Sequence, residues 1–199
     1  MRMLDLFCGR WGWSRAFAAR GWECVGVDLI EPPEIPDGCI FFRKNVLDID
    51  YRWIRGLNPD FVCISSPCNQ FTMFQLQCFH KDPPYPSEGI ELFNHSRELC
   101  EMTSISYVQE NVRAAQEFVG RAVNHCGPFY LWGTAVPPIL PRGITKGFGK
   151  MDRQFIISIG SSKSKKRAEH RAKVATIPPE LSSCVADYAE RLIEMRQTA

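Results

Sequence analysis

The hydrophobic positions of this chain alternate between short continuous runs and stretches with helical spacing. The runs predict buried strands at residues 2–7, 22–27, 39–42, 61–65 and 105–109. Helical spacing and helix-start residues predict helices at 14–20, with Ser14 as the cap, near 51–55, within 87–102 and after Pro178. This alternation is typical of a doubly wound, mostly parallel sheet. The pattern therefore predicts a Rossmann-like α/β fold.

Composition indicates a single globular domain over residues 1–199. With 45% hydrophobic residues and a formal net charge of +2, the chain differs from disordered proteins, and its 14 glycines exclude a collagen-like repeat. No apolar run approaches the roughly 18 residues of a membrane span, and Asp5 lies where a signal peptide needs its apolar core. We therefore expect a cytoplasmic protein that does not enter a membrane.

The nine cysteines are odd in number and include no Cys-x-x-Cys pair. This pattern argues against both a zinc site and a disulfide framework, so we expect reduced thiols and no bound metal. In a protein of this kind one accessible cysteine can be a nucleophile while the others pack as small hydrophobes.

Positive charge is concentrated near the C-terminus. Residues 142–173 carry ten Lys and Arg side chains against two acidic ones, a net +8, so the rest of the chain carries −6. Such a block is either a solvated surface or a phosphate-binding patch.

Candidate chemistry follows the predicted strands. A turn with Gly9 and Gly12 comes after the first strand, Asp28 ends the second, and Cys68 and Glu110 follow two later strands. In open α/β sheets the carboxyl ends of the strands face the ligand crevice. Each residue also has an ordinary structural explanation: turn glycines, a helix-capping Asp28 or Glu110, and a buried Cys68.

Three separated motifs nevertheless occur together: Asp-Leu-Phe-Cys-Gly at 5–9, Pro-Cys-x-x-Phe-Thr at 67–72 and Glu-Asn-Val at 110–112. In order and spacing the chain resembles the DNA (cytosine-5) methyltransferases, above all the short phage-type members, and residues 127–133 and 177–181 are similar to theirs too. The resemblance implies a class I methyltransferase fold without a separate target-recognition domain. It also implies a monomer in a bacterial or phage-infected cell, in a restriction-modification setting.

For catalysis, the resemblance implies that the Cys68 thiolate adds to C6 of a cytosine flipped out of DNA. Glu110 would be the acid at N3, Asn111 would hold its loop, and Pro67 would lie against the base. The segment at about 72–88 would be a lid.

For the cofactor, S-adenosyl-L-methionine, the resemblance assigns Phe7, Cys8, Gly9 and Gly12 to the methionine end and Asp28, with Leu29 beside it, to the ribose. Asn45 and Val46 fall at the adenine, with Asn45 where the family usually has an acid. Trp11 replaces a family glycine and would either pack over the cofactor or narrow its site.

The contact to the cytosine O2 has no clear donor, and Arg113, Arg121 and Arg153 are candidates. We expect Lys165, Lys166 and Arg167, within a basic loop segment at about 135–173, to contact DNA phosphates.

Two other functions stay open. One is a cytosine-5 methyltransferase that acts on tRNA or another RNA, or an enzyme that transfers a modified methyl group. In the latter case the donor would be an S-adenosylmethionine derivative with an extra anionic group, which the positive charge of Arg10 would allow. The other is a non-catalytic nucleic-acid-binding relative in which Trp11 blocks the cofactor.

Overall fold

The computed structural model describes residues 1–75, 85–144 and 175–198. Their strands are β1 (Arg2–Leu6), β2 (Glu23–Asp28), β3 (Cys39–Arg43), β4 (Phe61–Ser65), β5 (Tyr107–Asn111), β6 (Asn124–Cys126) and β7 (Phe129–Trp132). Their helices are α1 (Ser14–Ala18), α2 (Tyr51–Leu57), α3 (Asn69–Gln75), α4 (Ser87–Thr103), α5 (Gln116–Val119) and α6 (Pro179–Gln197). Short 3-10 turns lie at Val46–Asp48 and Arg113–Ala115.

The seven strands form one sheet in the order β3-β2-β1-β4-β5-β7-β6. Strands β1 to β5 pair in parallel, and β7 runs antiparallel to both β5 and β6. Compared with the 3-2-1-4-5-6 order of a Rossmann sheet, β7 is inserted between β5 and β6. The predicted doubly wound, mostly parallel α/β fold is confirmed.

Helices cover both faces of this sheet. On one face α6 packs beside α1, and Leu181 and Val185 of α6 are fully buried against a cluster that includes Phe17 and Phe61. On the other face α2 and α4 cover a second cluster, which includes Leu4, Val25 and Leu99. Because strand side chains alternate between faces, the two clusters use alternate residues of the same strands.

Some predicted boundaries are wrong for identifiable reasons. Strand β5 runs to Asn111 rather than ending at Gln109, because β7 pairs with it through Asn111 and places Glu110 opposite Leu131. Ser14 does not cap α1: its hydroxyl donates to Asp5 instead, and the capping position is Trp13. Helix α3 and strand β6 were not predicted.

Two predicted loop segments lie partly outside the described residues. Within the 72–88 segment, residues 72–75 end α3 and residues 87–88 begin α4, while 76–84 are outside. Of the 135–173 segment, residues 135–144 are described and the rest, including Arg153, Lys165, Lys166 and Arg167, is outside. Within the described ranges, no helix is long and apolar enough to cross a membrane.

Candidate active site

The ligand crevice of an open α/β sheet lies where the strand order reverses. In this sheet the reversal falls between β1 and β4, whose neighbours β2 and β5 run outward to either side. The turn with Gly9 and Gly12 follows β1, and Pro67 and Cys68 follow β4. The predicted cofactor turn and the predicted nucleophile therefore flank the same crevice.

A cavity of about 190 Å³ opens at this reversal. Its lining combines the turn after β1, the end of β4 and the segment before α6: Asp5, Phe7, Cys8, Gly9, Arg10, Gly12, Trp13, Ser65, Ala175, Thr176 and Ile177. Four predicted cofactor residues, Phe7, Cys8, Gly9 and Gly12, line it. The segment before α6 lies close to the turn after β1, since a Cβ at Gly12 would lie 2.7 Å from the backbone nitrogen of Ile177.

Asp5 is the buried acid of this cavity. It is 1% exposed, and its Oδ2 accepts a 2.6 Å hydrogen bond from the Ser14 hydroxyl. Its Oδ1 is buried and has no hydrogen-bond partner among the described residues. Burial raises the pKa of Asp5 to about 7, and the hydrogen bond from Ser14 acts in the opposite direction. A buried carboxyl oxygen without a partner is costly, and a polar ligand group that reached it would offset that cost.

Asp28, the last residue of β2, also binds the turn that follows β1. Its Oδ2 accepts from the Gly9 nitrogen at 3.0 Å, and its Oδ1 accepts from the Ile30 nitrogen at 3.1 Å. A carboxylate has about four acceptor positions, so this pairing leaves capacity for a further donor. Leu29 beside it is 58% exposed.

Asn45 and Val46 lie just beyond the carboxyl end of β3, at the same edge of the sheet. The Asn45 Oδ1 caps the 3-10 turn by accepting from the Leu47 nitrogen at 3.1 Å. Val46 is 2% exposed and belongs to the core. Neighbouring His95, on α4, contacts the carbonyl oxygens of Val46 and Ile49 at 3.0 and 3.1 Å.

Trp11 is packed into the protein rather than over an open surface. It is fully buried with a left-handed φ of 61°, a conformation that favours glycine. Its indole Nε1 donates to the Glu34 carbonyl at 2.9 Å, and its ring lies edge-on to Phe41. Gly26 of β2 makes room for that ring, because a Cβ there would lie 2.3 Å from it. The indole therefore fills space above β2 and β3.

The predicted catalytic residues lie at neighbouring strand ends. Ser65 of β4 is in register with Glu110 of β5, which is 6% exposed, and Cys68 follows three residues later, half-buried. The Asn111 Nδ2 donates to both the carbonyl and the hydroxyl oxygen of Ser66, each at 3.0 Å. These two buried hydrogen bonds tie the Cys68 loop to the Glu110 strand.

Two buried thiols near this site, Cys8 after β1 and Cys63 inside β4, are held in the neutral form. Burial raises the pKa of Cys8, with Asp5 and Asp28 adding to the effect, and burial likewise raises the pKa of Cys63. Both therefore stay as neutral thiols near pH 7, whereas a nucleophile must reach the thiolate. Pro67 and Arg113 are exposed just beyond the carboxyl ends of β4 and β5.

Sequence reasoning missed several lining residues. Asp5 left a signal, since it is a charged residue inside an apolar strand, but it was treated only as part of a motif. Ser65 accepts a 2.8 Å hydrogen bond from the Trp13 indole, and Thr176 and Ile177 reach the cavity from the far end of the chain. Nothing local in the sequence marks such long-range neighbours. Among the described residues, no group of three or more His, Cys, Asp or Glu side chains could hold a metal ion.

Comparison with known proteins gives matches only among solved structures: no protein-family model and no curated protein sequence matches this chain. A methyltransferase from Entamoeba histolytica, EhMeth, is 17% identical with a TM-score of 0.39, over 60% of this chain and 40% of that one. A mutant of DNMT2 from Spodoptera frugiperda is 20% identical with a TM-score of 0.37, over 58% and 37%.

An NAD-dependent NDP-hexosamine 5,6-dehydratase, TunA, is 16% identical with a TM-score of 0.41, over 100% of this chain and 50% of that one. The chain thus spans half or less of the length of each of these three proteins. These matches include both methyltransferases and an NAD-dependent enzyme, so they do not distinguish methyl transfer from NAD-dependent chemistry.

Proposed function

We propose that this chain is an S-adenosylmethionine-dependent methyltransferase that acts on C5 of a flipped-out cytosine in DNA. The observation that carries the proposal is the arrangement of Cys68 and Glu110 at neighbouring strand ends, joined by the hydrogen bonds from Asn111 to Ser66. They stand beside a cavity with an unpartnered carboxylate oxygen on Asp5.

The cavity suits the methionine end of the cofactor. The α-ammonium group of the cofactor can donate to Oδ1 of Asp5. Arg10 adds a positive charge at the rim of the cavity. The Asp28 carboxylate and the exposed Leu29 suit the ribose and adenine, with Asn45 and Val46 beyond β3. When bound, the cofactor supplies an electrophilic methyl group.

The protein's own residues account for activating the cytosine. C5 of cytosine is a weak nucleophile, and addition of the Cys68 thiolate to C6 gives C5 enamine character. Glu110 in its acid form donates to N3, which takes up the electron pair that the addition displaces. The N3 proton returns to Glu110 once C5 has taken the methyl group, and loss of the C5 proton to a base then expels the Cys68 thiolate and restores the aromatic ring. The proposal assigns contacts with the flipped base to Pro67 and Arg113, both of which are exposed.

The charge distribution favours a nucleic-acid substrate, which the proposal takes to be DNA. The +8 segment at residues 142–173 contrasts with the −6 of the remaining chain, and the proposal assigns its Arg153, Lys165, Lys166 and Arg167 to phosphate contacts. Binding that rests on phosphate contacts weakens steeply with added salt.

Covalent trapping tests the nucleophile. In 5-fluorocytosine DNA the fluorine takes the place of the C5 proton, so the adduct cannot eliminate and accumulates. The wild-type protein should form it with cofactor present, Cys68→Ser should not, and Cys184→Ser, a half-buried thiol on α6, should behave as wild type. Adduct formation by Cys68→Ser would refute the assignment.

Mass spectrometry of nucleosides tests the substrate and the transferred group. After incubation with DNA or RNA, the proposal expects one added methyl on deoxycytidine. A modified ribocytidine would assign the protein to RNA, and a larger added mass would indicate a cofactor derivative. A protein that binds DNA but modifies neither polymer would be the non-catalytic relative.

A further inference from the structure

Helix α3 sets the position of Cys68. The Cys68 carbonyl accepts from both the backbone nitrogen of Thr72, at 3.1 Å, and the Thr72 hydroxyl, at 3.0 Å. Cys68 is therefore held as the first residue of the helical turn, and any rotation or slide of α3 moves its side chain.

An apolar contact anchors one side of α3. Phe71 is fully buried in a cluster with Phe93 and Trp132, and its ring lies 5.9 Å from that of Phe118. Apolar packing of this kind is non-directional, so it holds α3 down without fixing its rotation.

Gln70 supplies the directional contact. Its Nε2 donates to the Glu88 Oε2 at 2.7 Å, and its Oε1 accepts from the Gly89 backbone nitrogen at 2.8 Å. Both partners lie in the first turn of α4, whose backbone N–H groups have no acceptor within the helix. Helix α4 is itself anchored by the buried Leu92, Phe93 and Leu99. One amide thus joins the helix of Cys68 to a fixed element.

We propose that Gln70 is a positioning residue for the Cys68 nucleophile, acting through this pair of hydrogen bonds to Glu88 and Gly89. The proposal rests on the proposed function, in which Cys68 attacks C6. Gln70 does not touch the reacting atoms. Its loss should slow the covalent step without weakening cofactor binding, because the cofactor cavity lies on the β1 side of the crevice.

Exchanging the amide of Gln70 with the carboxylate of Glu88 distinguishes positioning of Cys68 from a general effect on stability. In Gln70→Glu the new carboxylate still accepts from Gly89 but faces the Glu88 carboxylate. In Glu88→Gln the amide carbonyl still accepts from Gln70. In the double variant the amide introduced at 88 donates to the carboxylate introduced at 70, so the bond between the two side chains is restored with its direction reversed, while the Gly89 nitrogen still donates to residue 70.

The measurement is the single-turnover rate of adduct formation with 5-fluorocytosine DNA, below the unfolding temperature of every variant, together with calorimetric binding of S-adenosylhomocysteine. A misplacement of about 1 Å can cost roughly 100-fold in rate, so Gln70→Glu should lose about 10- to 100-fold. Glu88→Gln and the double variant should both stay within about 3-fold of wild type, with cofactor affinity unchanged throughout. Gln70→Met, of similar length without hydrogen bonds, should resemble Gln70→Glu.

Asn69→Asp is the matched control, because it adds the same charge one residue closer to Cys68 and leaves the Glu88 pair intact. An equal loss in this variant would assign the effect to charge and overturn the proposal, as would a wild-type rate in Gln70→Glu or no recovery in the double variant. The wild-type protein reports separately on the proposed function: if it forms no adduct, both ideas fail.

Discussion

Substituting Gly26 by Ala should destabilise the protein mainly through one contact, that with the buried Trp11 ring. The new Cβ would lie 2.3 and 2.4 Å from Cζ3 and Cη2 of the indole, and 2.9 Å from the Cys8 sulfur. Favourable contacts between carbon atoms lie at about 3.5–4.0 Å, so the ring must move by more than about 1 Å.

The structure gives the ring little freedom for that movement. Trp11 is fully buried, and its indole nitrogen is held by the Glu34 carbonyl. Overpacking typically costs about 1–3 kcal/mol, and losing the hydrogen bond adds about 1 kcal/mol. We therefore expect Gly26→Ala to lower the free energy of unfolding by about 2–4 kcal/mol. At about 2–4 °C per kcal/mol for a domain of this size, Tm should fall by roughly 5–15 °C.

A double-mutant cycle with Trp11→Gly isolates this contact. Trp11→Gly should itself cost about 3–5 kcal/mol for the cavity, less about 1–2 kcal/mol from relief of the left-handed backbone. In that background Gly26→Ala should cost under about 1 kcal/mol, since only the Cys8 contact is left. Equilibrium urea unfolding, analysed with a constant m-value, gives the free energy of unfolding of the wild type, the two single variants and the double variant.

Gly56→Ala is the control, because that glycine lies inside α2 with nothing within 4 Å of an added Cβ. It should stabilise the protein by about 0.5–1 kcal/mol. If Gly26→Ala costs the same with and without Trp11, the contact is not the cause and the reasoning is wrong.

Three further substitutions test the site, the third as a control for the second. The raised pKa of Asp5, about 7, means that the folded state holds its proton more tightly than the unfolded state, so stability should fall from about pH 4 to pH 7. Asp5→Asn should flatten that slope in urea unfolding, and a parallel slope in both proteins would contradict the assignment. Asn111→Asp replaces both donors to Ser66 by a carboxylate facing the Ser66 carbonyl, so it should cost about 2–4 kcal/mol in thermal unfolding and abolish adduct formation. Ser66→Ala, which removes only the hydroxyl, should cost about 1 kcal/mol, and equal losses in both would argue against the carbonyl contact.

The strand ends could be predicted because local apolar runs determine them. The runs before Phe7, Ser66 and Glu110 became β1, β4 and β5, and parallel pairing brought their carboxyl ends to one edge. That much of the candidate site follows from periodicity and sheet geometry alone.

The contacts that connect these strand ends could not be predicted. Trp11 and Gly26 are complementary only because β1 and β2 are neighbours, and nothing in either segment encodes the fit. Gln70 meets Glu88 across 18 positions of the chain, through α3, a helix for which the sequence showed no clear periodicity. Such pairings depend on how helices and strands pack together, and the sequence pattern of one segment holds no information about that packing.

Helix α6 has a consequence for how the protein is made. It covers the face of β1 and α1, and Arg20 bonds Asp187 at 2.6 Å across 167 positions of the chain. At about 5–20 residues per second, synthesis from the end of β2 to the end of α6 takes on the order of ten seconds. Throughout that interval α6 does not cover Phe17 and Trp22, and exposed apolar surface is the condition in which nascent chains aggregate or bind chaperones. Although α1 precedes α6 by more than 150 positions in the chain, its packing is completed only when α6 is made.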